Sequence, residues 1–268
     1  MRPAWLCVLL WLACSGASLA ACRQAYHVPY ITLGYASYTD EQGQPAGYFI
    51  DLYRELSHRT GCRFVIEPMP AQRLRATMVV NRIPMFGPAA APATSEARAQ
   101  RRFVPLTREP MELVVRKDLA VRNVADAMGR PGLVFGTIRG ASYGEWVEQN
   151  LSRLPAAQRE ESVDAETVYR KLVAGRIGAT FGNAYVYRWH LDRMQEPDSV
   201  SVLPLPERHR TPVGMVFNHD GMAPEDMERL VRAVVAIRDD GSFRRMLARY
   251  LGDDLARDRL YQGSTSHP

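Results

Sequence analysis

The chain has 268 residues, 46% of them hydrophobic and 24% charged, with 34 Lys+Arg against 29 Asp+Glu for a formal net charge of +5. These proportions exclude a disordered tail, a collagen-like repeat and a disulfide mini-protein, and leave room for one large or two modest globular domains. Only Lys117 and Lys171 are lysines; the arginines are scattered among acids along the whole chain, which argues against a nucleic-acid surface.

Residues 1–20 have the layout of a secretory signal: Arg2, an apolar run from Trp5 to Cys14, then small residues ending Ser18-Leu19-Ala20. The run is shorter than the ~20 residues that span a bilayer, so a cleavable signal and a periplasmic protein are expected. Cleavage after Ala20 removes Arg2, Cys7 and Cys14, lowers the net charge to +4 and leaves Cys22 and Cys62 as the only possible pair. A disulfide persists in that compartment; closing a loop of about 40 residues stabilises the fold by roughly 4 kcal/mol in the chain-entropy picture. Leu19-Ala20-Ala21-Cys22 also has the form of a bacterial lipobox, which would lipidate Cys22 and leave Cys62 a lone thiol.

Downstream, short apolar runs alternate with helical periodicity. Strands are expected at Tyr30 to Gly34, Phe64 to Glu67, Ile83 to Phe86, Glu112 to Arg116, Leu133 to Gly136, Ala179 to Phe181, Val200 to Leu203 and Val213 to Phe217. Between the first two, Phe49, Leu52, Tyr53 and Leu56 follow i, i+3, i+4, i+7, with Gly61 placed to end the helix. Ala165, Val168, Tyr169 and Leu172 repeat the pattern before Gly175, as do Met227 to Val234 and Phe243 to Leu251. This alternation implies parallel sheets covered by helices. The first two strands become parallel neighbours through one helix, which places Cys22 and Cys62 at the same end of the sheet. Proline-rich stretches lie at Gly87 to Pro92 and Leu203 to Pro212, and the second reads as a segment crossing between compact units.

Four local patterns in order resemble the family 3 solute-binding proteins, the amino-acid receptors of bacterial ABC importers. They are Gly43-Gln44-Pro45-Ala46-Gly47-Tyr48-Phe49-Ile50-Asp51-Leu52, Thr94-Ser95-Glu96-Ala97-Arg98 followed by Phe103 and Pro105, Leu172-Val173-Ala174-Gly175-Arg176-Ile177, and Asp240-Gly241-Ser242-Phe243 with Tyr250-Leu251-Gly252. The resemblance implies a type II periplasmic-binding fold: two Rossmann-like α/β lobes joined by two crossing strands near Glu112 to Arg116 and Leu203 to Val213. Lobe one would comprise 22–112 plus 208–252, lobe two 113–207, and 253–268 a C-terminal tail. A small-molecule ligand would lie in the cleft of a monomer, and closure would be read by a membrane permease. No kinase or lytic domain is expected after the binding domain.

By the same resemblance, Arg98 would grip a ligand carboxylate as a bidentate fork, and Tyr35 and Tyr38 would lie over the ligand side chain. The loop Thr137-Ile138-Arg139-Gly140-Ala141-Ser142 follows a strand and is expected to open a helix, so its N–H groups, with Arg139 and the Ser142 hydroxyl, could hold an anion. Two departures bear on the ligand. The hydroxyl-rich stretch before the threonine motif is Pro88-Ala89-Ala90-Ala91-Pro92-Ala93, and the aspartate that pairs with a ligand ammonium is Asn183. An unpaired ammonium in a desolvated cleft is costly, so a ligand with an anionic group and no obligatory ammonium is expected.

A hydrolase is the alternative. Gly140-Ala141-Ser142-Tyr143-Gly144 matches the G-x-S-x-G nucleophile elbow, with Asp164, Asp192, Asp198, His209 and His219 downstream. No H-G-G-G-type oxyanion element precedes it. A sensor or an enzymatic derivative of the binding fold, as in cyclohexadienyl dehydratases, is a further option, although no paired carboxylates point to it. No cofactor or metal is expected: the six histidines form no i, i+4 pair and the cysteines no C-x-x-C.

Overall fold

The computed structural model describes residues 22–70, 73–74, 76–77, 83–92, 94–206 and 210–263. The signal at 1–20 and the candidate triad residue His209 lie outside them.

Strand β1 (Tyr26–Tyr30) is followed by the short pair β2 (Tyr38–Thr39) and β3 (Pro45–Ala46), helix α1 (Tyr48–Thr60) and strand β4 (Phe64–Pro68). β1 and β4 run parallel, Tyr26 opposite Phe64, as the single intervening helix predicts. The first strand ends four residues earlier than expected. Gly34 takes a left-handed φ of 57°, which extended backbone cannot include, and Gly34–Ala36 is a 3-10 turn. In α1, Phe49, Leu52, Tyr53 and Leu56 are fully buried. Gly61 closes the helix at φ 69°, its N–H donating to the Ser57 carbonyl. A disulfide joins Cys22 to Cys62 with the Cα atoms 4.7 Å apart, a normal span for such a bridge. Lipid attachment would need the same Cys22 sulfur.

The chain continues through β5 (Met85–Ala90), α2 (Ser95–Gln100), β6 (Arg101–Pro110) and β7 (Glu112–Arg116). It then forms α3 (Val124–Gly129), β8 (Phe135–Ile138), α4 (Glu145–Ser152), β9 (Arg159–Ser162), α5 (Ala165–Val173), β10 (Ala179–Gly182), α6 (Ala184–Arg193) and β11 (Val200–Pro204). Last come β12 (Arg210–Asn218), α7 (Pro224–Asp239), α8 (Ser242–Leu251) and α9 (Asp253–Arg259). α9 falls within the stretch read from sequence as a tail; its Ala256 is fully buried.

The sheets are mixed rather than parallel. β1–β4 and β10–β8–β9 are parallel, but β5–β12–β6 is antiparallel throughout, and β7 pairs antiparallel with both β10 and β11. The antiparallel members flank the two places where the chain passes between sheets, at Met111 between β6 and β7 and between β11 and β12, after Leu205.

Each unit has its own core. Tyr26, Val28, α1, α7 and α8 bury one cluster around Tyr48, Phe49 and Phe243. β7 shows why its sequence is a continuous apolar run: Leu113 and Val115 face a cluster with Phe135 and Phe181, while Val114 faces the opposite cluster with Val168, Leu172 and Tyr187. Arg259 from α9 meets Glu112 at the head of β7 at 2.7 Å, with both side chains largely buried.

Candidate ligand-binding cleft

The two passages between sheets sit at the floor of a cleft of about 550 Å³, within the ordinary range for small-ligand sites. One wall is formed by the ends of β5, β6 and β12, with Pro88 to Ala90, Glu109, Thr211 and Val213. The other is the loop and first turn of α4, from Ser142 to Val147, and Asn183 and Tyr185 close it from the start of α6. Met111 and Leu205, one on each passage, complete the floor.

Glu109 was not anticipated, because β6 itself was not read as a strand. Val104 and Leu106 are buried, so strict alternation would next bury Arg108. The β12 register shows a bulge instead: Gly214 opposes Pro105 and Val213 opposes Thr107, leaving Leu106 as an extra residue. The bulge reverses the phase, so Thr107 and Glu109 turn inward and Arg108 outward.

Glu109 is 2% exposed, yet it lines the cleft. Neither of its carboxyl oxygens has a hydrogen-bond partner among the described residues. Burial pushes its carboxyl up to about 7, against the pull of the Thr107 hydroxyl and the Arg259 guanidinium. Arg259 is committed to Glu112, and Arg210 to Asp258 at 3.0 Å. The Tyr48 and Tyr185 phenols, both buried and both near the Glu109 charge, are raised above the ordinary tyrosine value, chiefly by desolvation.

Of the residues singled out from sequence, Ser142 and Asn183 line the cleft. Asn183 donates from Nδ2 to the Pro110 carbonyl at 2.8 Å, and its Oδ1 accepts a long 3.5 Å bond from Tyr185. Ser142 does not cap a helix: α4 begins at Glu145 behind Gly144. The Ser142 hydroxyl donates to Glu148 Oε1 at 2.9 Å, and the same oxygen accepts the Tyr143 N–H at 3.1 Å. In this structure the chain's own carboxylate therefore occupies the donors that the loop was expected to offer an anion.

Arg98, Tyr35, Tyr38 and Arg139 stand outside the cleft lining. Arg98 lies on α2 and donates to the Pro92 carbonyl at 3.2 Å. Arg139 pairs with Glu161 at 3.0 Å on the surface. The Tyr35 hydroxyl donates to Asp192 on α6 at 2.5 Å, and Tyr38 packs its ring 5.8 Å from that of Trp189. These two tyrosines join the first unit to α6.

Two α/β lobes, connected through Met111 and Leu205 beside a cleft, have the type II periplasmic-binding architecture. Residues 33–253 match the sequence profile of the bacterial extracellular solute-binding proteins, family 3, and the chain belongs to that family. The L-cystine-binding protein TcyK of Bacillus subtilis (strain 168) is 21% identical over 263 residues, covering 92% of this chain and 93% of the relative. An ABC uptake transporter substrate-binding protein from Streptococcus pneumoniae, solved with bound histidine, superposes with a TM-score of 0.68 at 16% identity, over 86% of this chain and 93% of that one. A structure from work on glutathione import through GshT and the cystine importer TcyBC in Streptococcus mutans gives a TM-score of 0.68 at 15% identity, over 89% and 98%. At these identities the superpositions establish the fold.

Proposed function

We propose that the protein is a monomeric, non-catalytic periplasmic receptor. It captures a small polar, carboxylate-bearing solute, an amino acid or a related organic acid, and delivers it to an ABC importer in the inner membrane. The observation that carries this reading is the 550 Å³ cleft at the strand crossings, whose lining includes Glu109, Asn183, Tyr185, Ser142 and Thr211. The lobes are 22–112 plus 208–252 and 113–207, so the hinge falls on the two passages that floor the cleft, and closure over ligand is the state the permease reads. Arg98 holds the ligand carboxylate; its motif register and its place just beyond the cleft-lining end of β5 support that role. The signal at 1–20 is cleaved on export.

Partners named for relatives, cystine in TcyK and histidine in the pneumococcal protein, make amino acids the first ligands to try. Against a serine hydrolase of the nucleophile-elbow type, the Ser142 hydroxyl is engaged by a carboxylate, Glu148, whereas the serine of that triad is activated by a histidine. A thermal-shift and calorimetric screen of amino acids and small organic acids is expected to return a 1:1 binder. Fluorophosphonate labelling that disappears in Ser142→Ala would instead establish the hydrolase.

A further inference from the structure

We propose that Glu109 is the acceptor for a cationic group of the ligand, so that the bulged strand β6 supplies the carboxylate that position 183 lacks. The proposal rests on the receptor reading above and narrows its ligand to one that carries an ammonium or equivalent cation. It replaces the expectation of an ammonium-free ligand, which followed from Asn183 alone.

A carboxyl held in a protein interior is normally paired, because an unpartnered buried acceptor costs its full desolvation. Glu109 is almost fully buried, lines the cleft and has no hydrogen-bond partner at either oxygen among the described residues. Of the guanidiniums that act on it from neighbouring elements, Arg259 pairs with Glu112 through Nη2, its buried Nε having no partner among the described residues, and Arg210 pairs with Asp258. The other groups facing it are the Tyr48 and Tyr185 phenols, the Thr107 hydroxyl and the Glu112 carboxylate, none of them cationic. The described cleft lining contains a second acid, Glu145, and no lysine or arginine. An incoming cation therefore meets an acceptor to which no cationic group is hydrogen-bonded among the described residues, in a site where charge-assisted hydrogen bonds are strong. Asn183 and Tyr185 close the same end of the cleft and add neutral acceptors beside it.

Binding a cation must also favour the ionised form of Glu109 and expel its proton. With the carboxyl at about 7 in the empty cleft, about half a proton should leave per ligand at pH 7. Affinity should then rise about ten-fold between pH 6 and pH 8.

The test is calorimetry of the mature protein with L-histidine, L-arginine, L-glutamine and L-cystine. The ammonium-free analogues, imidazolepropionic acid among them, are measured in parallel. Buffers of different ionisation enthalpy report the proton count without any variant. The expected result is an amino acid bound with proton release, its amine-free analogue bound at least ten-fold more weakly, and a ten- to hundred-fold loss in Glu109→Gln that also removes the pH dependence. An amine-free acid bound as tightly as the amino acid, or Glu109→Gln binding the amino acid as wild type does, overturns the role of Glu109 and leaves the receptor reading standing. Failure of every amino acid and organic acid to bind wild type contradicts the receptor reading, and this proposal with it.

Discussion

At Glu109 and His190 two buried titratable groups pull stability in opposite directions. The Glu109 carboxyl rises from an ordinary 4.5 to about 7, so between those values the folded chain holds a proton that the unfolded chain has released. Stability attributable to it falls as pH rises through that window, by up to about 3 kcal/mol. His190, stacked at 4.9 Å on Tyr169 and 6% exposed, is lowered from 6.5 to about 4, chiefly by desolvation and against the attraction of Glu166 and Asp164. There the unfolded chain takes up the proton first, so stability is lost as pH falls from 6.5 to 4, by a similar amount. Urea denaturation of the ligand-free protein at a series of pH values should show Glu109→Gln more stable than wild type above pH 7. His190→Gln should lose less stability than wild type on going from pH 7 to pH 4.5. A Glu109→Gln curve parallel to wild type from pH 5 to pH 8 would mean that the carboxyl is not desolvated as described.

Among the elements, the β6 bulge decides what the cleft contains. Gly214 on β12 opposes it with no room for a side chain: a Cβ there would stand 1.9 Å from the Val104 carbonyl oxygen. Gly214→Ala should force the pairing to shift and cost at least ~2 kcal/mol, with loss of ligand binding as Glu109 turns away. Equilibrium unfolding and a binding titration on the same preparation check both, and binding retained at wild-type affinity would separate the bulge from the site.

The same element marks where sequence reading stopped. α1 was legible from a single helical period, and β7 and β10 from short continuous apolar runs. β6 changes phase in its middle, with Pro105 and charged residues at its outward positions, so it presents neither period and its buried acid is hidden. The anion loop was misplaced for a related reason: Ser142 resembles a capping residue, but Gly144, at a φ of 88°, is where the backbone turns into α4.

For the molecule as a whole, the four family patterns carried fold and class, because they are spread over both lobes. The cleft lining instead gathers side chains from β6, β12, α4 and α6, a convergence that no linear pattern records. The Cys22–Cys62 bridge ties the entry of β1 to the entry of β4, closing a loop of 40 residues. Its reduction should cost roughly 4 kcal/mol and lower the denaturant midpoint, whereas equal midpoints with and without reductant would leave the bridge without a stabilising role. The central claim, a receptor that holds one small cationic and carboxylate-bearing solute in its cleft, is tested most directly by native mass spectrometry of the protein purified from its native cells. The account predicts a single non-covalent adduct at 1:1, lost on denaturation, whose released molecule carries an amine and a carboxylate. A covalent adduct on Ser142, or a retained solute with no cationic group, would contradict it.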